Sequence, residues 1–231
     1  ITSIGGGRRA LGGCVLTDDA LIPTKWMSPV GTGVPAGGYR VVFASDKDRA
    51  VAGSVLHTNF KLSTAGEYLA LVKSDGVTVA SSYTPAYPEQ FTDISYGIAP
   101  SLQQRYFPQP TPGALNNAGW PAPVKVAHQP AVPGANDALT VTAEAAGGLS
   151  AAGVLNLRYR VGYGSELPLA MNDNGTGGDL FAGDGVHTAV IPAGAALPGE
   201  MLRYAITTDE PGFPAGRAPL FLDPLDSPEY F

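Results

Sequence analysis

A single cysteine, Cys14, in 231 residues leaves no internal disulfide to close, so packing alone must hold the fold. Its neighbours Gly12-Gly13 and Val15-Leu16 read it as a small buried strand residue rather than a reactive thiol. Charge is also scarce, at 15% of the chain, and strong helix formers never gather into a run. No apolar stretch approaches the roughly 18–20 residues that a membrane-spanning helix needs. The three histidines, His57, His128 and His187, lie far apart without His-x-x-x-His spacing, which excludes a local zinc motif. His57 reads as a turn anchor. Basic residues number only 14 against 20 acidic ones, giving a net charge of −6 and a pI near 4.9, so no nucleic-acid partner is expected. The one adjacent basic pair, Arg8-Arg9, follows Gly5-Gly6-Gly7, and no Gly-Lys-Ser/Thr completes a phosphate loop there.

Thirty glycines and 21 prolines are what the chain has instead, the makeup of many short strands joined by tight turns. An all-β fold follows. The stretch Leu56–Gly76, LHTNFKLSTAGEYLALVKSDG, joins a polar approach to an alternating strand and a Ser-Asp-Gly turn. Tyr39–Ala44 alternates in the same way, and Leu11–Thr17, Lys25–Met27, Val77–Tyr83 and Asp93–Ile98 are further predicted strands. In the second half Leu139–Glu144, Leu155–Val161, Val186–Ile191 and Met201–Thr208 repeat the pattern at the spacing of an immunoglobulin-like or fibronectin-like sandwich. Between Pro108 and Pro123 the run PQPTPGALNNAGWPAP is too rich in Pro, Gly and Asn for a helix or a central strand. The predicted architecture is two tandem immunoglobulin-like β-sandwiches, residues 1–117 and 118–231. Trp26 reads as a core residue and Trp120, in the connection, as a wedge between domains.

Residue by residue, the first half resembles a bacterial lamin-tail domain. The resemblance rests on Leu11-Gly12-Gly13, Leu16-Thr17-Asp18-Asp19, Lys25-Trp26, Val34–Tyr39, His57–Ser63, Gly66-Glu67, Asp75-Gly76, Ser95-Tyr96-Gly97 and Pro110–Ala114. The second half is similar to the small immunoglobulin-like module that follows such domains in large secreted bacterial proteins, through Leu157–Arg160, Asp173-Asn174-Gly175, Gly178-Asp179, Ala182–Val186, Ile191-Pro192-Ala193 and Leu202-Arg203-Tyr204. Its closing Asp226–Phe231 resembles the lead-in to a spore-coat kinase domain of the CotH type. The resemblance implies an extracellular or cell-surface setting. It also implies that any catalytic domain lies outside these residues, and that the opening strands of the lamin-tail sandwich are missing or supplied by another chain. Ile1 in place of an initiator Met fits a piece of a longer protein.

The densest set of oxygen ligands is Asn172–Asp179, continuing to Asp184-Gly185. Two readings stand. Asn-Gly and Asp-Gly make the turns of a long hairpin, or Asp173, Asp179 and Asp184 hold calcium, which takes carboxylates and carbonyls in a glycine-curled loop. No other cofactor is expected. Tyr83, Tyr87 and Phe91, interleaved with Pro85 and Pro88, either pack under a loop or form a stacking surface for a protein partner or a carbohydrate. Catalytic patterns are absent: Gly162-Tyr163-Gly164-Ser165-Glu166 has the wrong order for a nucleophile elbow, and Asp18-Asp19 and Asp46-Lys47-Asp48 read as loop residues. The expected function is a non-catalytic spacer and interaction module. The alternatives are a filament-type subunit assembling through an open sheet edge, an accessory region of a CotH-type kinase-like enzyme, and a carbohydrate-binding module.

Overall fold

The computed structural model describes residue 1 and residues 7–134, 136–219 and 230–231. Among them are seventeen strands and no helix, so the chain is all-β. It divides into two compact units, Ile1–Tyr96 with Pro110–Asn116, and Gly97–Gln109 with Asn117–Phe231. The segment Gly97–Gln109 thus groups with the second unit rather than the first.

The first unit runs through β1 (Arg9–Ala10), β2 (Val15–Thr17), β3 (Trp26–Met27), β4 (Gly33–Val34), β5 (Val42–Phe43), β6 (Leu56–His57), β7 (Leu69–Val72) and β8 (Val79–Tyr83). A four-stranded sheet of order β3-β2-β7-β8 is its frame, with β1 paired to β4 and β5 running parallel to β6. Alternation along β7 sends Ala70 and Val72 to one face, where they pack with Val15, and Leu69 to the other, against Trp26, Leu56 and Phe60. Between β7 and β8, Asp75 caps the turn. Its Oδ1 accepts the N–H groups of Val77 and Thr78, and its Oδ2 the Thr78 hydroxyl, which holds the carboxyl down at about 2. That turn sets the register Leu69↔Tyr83, Ala70↔Ser82, Leu71↔Ser81 and Val72↔Val79, with Ala80 as an extra bulged residue. The strand predicted over Tyr39–Ala44 is reduced to Val42–Phe43, and it is not buried on both faces: Val41 and Phe43 are exposed.

β9 (Ser95–Ile98) and β10 (Gln104–Phe107) form a two-stranded sheet where the chain passes into the second unit. There follow β11 (Ala122–Gln129), β12 (Leu139–Ala146), β13 (Val154–Val161), β14 (Leu167–Ala170), β15 (His187–Ile191), β16 (Leu202–Asp209) and β17 (Gly216–Ala218). Sheets of order β11-β12-β15 and β14-β13-β16-β17 turn their apolar faces to one core, a sandwich-like arrangement. Leu139, Val141, Ala189 and Ile191 come from one sheet, Leu155, Leu157, Tyr204 and Ile206 from the other. β11 begins inside the proline-rich run where no central strand was expected. It is an edge strand, and an edge tolerates Pro123 because the missing N–H can face away from the ladder. Trp120 is buried, and it belongs to this second unit.

Candidate functional site

Two constellations stand out, one in each unit. In the first unit, Tyr83 at the end of β8 meets Tyr87 edge to face with ring centroids 6.5 Å apart, and Tyr96 at 5.9 Å. With Leu62, Ser63, Thr64, Leu69 and Gln90 they line an open depression of about 180 Å³. Tyr96 supplies a third ring; Phe91, whose backbone bridges to Ile94, is not among the residues that line the depression. Tyr83 shares a face with Leu69 because the two are register partners across β7 and β8.

The two loops that wall the depression are fastened to each other. Tyr87 donates its N–H to the Glu67 carbonyl at 2.9 Å, and Gln90 its N–H to the Thr64 carbonyl at 2.7 Å. The Tyr87 hydroxyl donates to the Ser63 carbonyl at 2.8 Å and to Glu67 Oε1 at 3.2 Å, while Ser63 N–H also donates to that carboxylate oxygen. Burial, with the Glu67 charge adding to it, pushes the Tyr87 phenol up to about 12. So close an approach needs Gly66. Its φ is +92°, and a Cβ there would collide with the Tyr87 carbonyl oxygen. Tyr87 is therefore a fixed wall, whereas Tyr83 and Tyr96 are half-buried and present ring surface. Aromatic rings held in place around an apolar floor can stack on a sugar face or grip an apolar side chain.

In the second unit the loop before β15 gathers Asp173, Asp179 and Asp184, with one carboxylate oxygen from each lying within 4.8 Å of the others. Asp173 accepts the N–H groups of Gly183, Asp184 and Gly185, Asp179 that of Gly175, and Asp184 that of Val186. Gly178, at φ +101°, lets the loop fold over β15, since a Cβ would stand 2.6 Å from Val190 Cγ2. Asp179 is buried, Asp173 half-buried and Asp184 exposed. Among the described residues no Lys or Arg forms a salt bridge with any of the three. Asp173 Oδ1 already takes two N–H donors, but each of the three carboxylates keeps lone pairs free on its other oxygen, so the set fits a hard divalent cation as well as the turns it caps.

The remaining predicted positions are dispersed. His57 stacks on Phe43 at 5.3 Å, and its Nδ1 meets Ser45 Oγ at 2.7 Å. Desolvation, then Lys47 and Arg49, hold this imidazole below its usual pKa, and its backbone pairs with Arg49 in both directions. His128 Nδ1 lies 2.8 Å from the Tyr204 hydroxyl, and His187 opens β15. Cys14 is half-buried just ahead of β2 rather than buried within it. A contact the sequence did not signal lies on the outer face of β13, β16 and β17. There the Tyr230 ring stands 4.6 Å from the Arg160 guanidinium, 5.2 Å from Arg217 and 5.6 Å from Arg203, and its hydroxyl donates to Glu166. The outward alternation Arg158, Arg160 was visible, but not the ring that would cover it.

No helix of the described residues is long and apolar enough to cross a membrane. No protein-family model matches the chain, and no curated protein or solved structure is detectably similar to it.

Proposed function

We propose that the chain is a non-catalytic spacer and interaction module of an extracellular or cell-surface protein, made of two immunoglobulin-like sandwiches of which the first is of the lamin-tail type. The observation that carries this reading is the tyrosine depression. Loops that merely cover a core have no need of a rigid, open-mouthed ring cluster, and here hydrogen bonds from Tyr87 to Ser63 and Glu67 fix one ring while two others face outward. Such a surface suits a protein segment or a glycan offering a flat or apolar group. The test is a paired screen on a glycan array and an immobilised peptide library with the wild type and Tyr83→Ala. Signals lost in the variant support the reading. Silence on both, or signals that Tyr83→Ala leaves intact, contradict it.

A second reading concerns calcium, favoured by the convergence of three carboxylates within 4.8 Å. Asp173, Asp179 and Asp184 would hold the ion and stiffen the loop before β15, a structural role. Titration calorimetry should give heat at millimolar calcium for the wild type and none for Asp179→Asn. No heat from the wild type would sink the calcium reading.

A further inference from the structure

The chain carries a net charge of −6, yet its second unit gathers arginine on one surface. Alternation along β13 turns Arg158 and Arg160 outward while Leu155, Leu157 and Tyr159 point to the core. The antiparallel registers then set Arg203 of β16 directly opposite Arg160, and Arg217 of β17 opposite Thr207 on the same outer face. Four of the six basic residues of this unit share that face, the other two being Arg105 and Lys125.

Like charges directly across an antiparallel pair repel. Arg160 and Arg203 form such a pair, and among the described residues neither has a carboxylate within salt-bridge reach. Their Nε atoms are buried without a hydrogen-bond partner there. Glu166 lies 3.9 Å from Arg158 and is also engaged by the Tyr230 hydroxyl. Rings interleave with the guanidiniums: Tyr230 stands against Arg160, Arg203 and Arg217, and Tyr163, 97% exposed, lies 5.5 Å from Arg203. Fixed positive charge thus exceeds its counter-charge beside open ring surface, and arginine and tyrosine are the side chains that most often anchor protein interfaces.

We infer that this face docks an extended acidic segment of a partner protein, with carboxylates at alternate positions meeting the guanidiniums of Arg160, Arg203 and their neighbours. Charge names the occupant, since a guanidinium offers parallel N–H donors that match a carboxylate. Spacing names its form: Arg158 and Arg160 leave their strand about 7 Å apart, the repeat of alternate residues in any extended chain. The site belongs to the second unit and does not involve the tyrosine depression of the first.

The experiment is fluorescence anisotropy of the full chain at low salt, where surface charge is least screened. The probe is a labelled eight-residue peptide alternating glutamate and threonine, beside its glutamine counterpart, which removes the charge without altering the protein. The wild type should bind the glutamate peptide and not the glutamine one. Affinity should fall about tenfold or more in Arg160→Gln and in Arg203→Gln, as expected for the loss of a charge-assisted pair. Lys73→Gln, which removes the same charge from an exposed position of the first unit, and Tyr83→Ala should leave it unchanged. No binding of the glutamate peptide, equal binding of both peptides, retention in both arginine variants, or an equal loss in Lys73→Gln or Tyr83→Ala overturns the inference. So does tighter binding of a single-stranded oligonucleotide of equal charge, which would assign the face to phosphate backbones instead. The tyrosine depression is read through Tyr83→Ala in its own screen, so either proposal can fail while the other holds.

Discussion

Both units are built from strands, yet they assemble their interiors by different routes. In the second, β11, β12, β13 and β16 each run for eight residues, and β12, β13, β15 and β16 bring inward side chains to one cluster of eleven buried residues, against which Val126 of β11 packs. In the first, no strand from β1 to β8 exceeds five residues; Val15, Ala70 and Val72 form one small cluster and Trp26, Leu56 and Phe60 another, on opposite faces of β7. Strand length decides the matter: eight residues in register place up to four side chains on one face, whereas two or three place one or two. What the first unit lacks in continuous apolar contact it replaces with buried hydroxyls and capped turns. Thr17 Oγ1 donates to the Ile22 carbonyl at 2.7 Å and Thr58 Oγ1 to the Phe60 carbonyl at 2.7 Å, while Ser28 Oγ donates to the Leu11 carbonyl. Such bonds fix loops precisely but contribute only about 1 kcal/mol each. The first unit is thus suited to presenting loops and edges, the second to holding its shape.

The sharpest way to break this comparison is to cut into each core. Leu157→Ala, at a fully buried site in the eleven-residue cluster, is expected to cost about 2–5 kcal/mol, toward the upper end. Leu56→Ala, equally buried but in a cluster of three, should fall toward the lower end of the same range, because its partly buried neighbours can close on the space. Urea unfolding followed by Trp120 for the second unit and Trp26 for the first measures both, and equal losses would remove the distinction. Next in size is Gly66→Ala, expected to cost about 1–3 kcal/mol through the positive φ and the collision with Tyr87, and to weaken whatever the depression binds. The smallest effect is a matter of pH. The Tyr87 phenol ionises near 10 when unfolded and at about 12 when folded, so its contribution is complete below pH 10 and is lost as pH climbs toward 12. A Tyr87→Phe chain, lacking that group, should lose less stability than the wild type between those two values.

How far the sequence foretold this architecture also differs between the units. β12 and β13 could be read from alternation because buried and more exposed residues alternate along them, as in Leu155, Leu157 and Tyr159 against Asn156, Arg158 and Arg160, while β15 and β16 carry consecutive buried residues, Thr188-Ala189 and Tyr204–Ile206, within their apolar runs. β1, β4 and β6 carry two residues each, below any period that a pattern can show, and they are set by turns and long-range partners. The candidate sites were legible in proportion to their locality. Asp173, Asp179 and Asp184 sit in one glycine-rich loop, so their convergence was foreseeable from spacing. Tyr83 and Tyr87 were visible along one segment, but Tyr96 joins them only because the chain folds back. The guanidinium cradle around Tyr230 gave no local signal at all, since its members come from three strands and the far end of the chain.

Hydrogen exchange followed by mass spectrometry tests the central contrast most directly, because it reads local opening strand by strand without any substitution. Amides of β12, β13 and β16 should exchange last, and those of β1, β4, β5 and β6 first, with β7 in between. Protection in β5 and β6 equal to that in β13 would contradict the account.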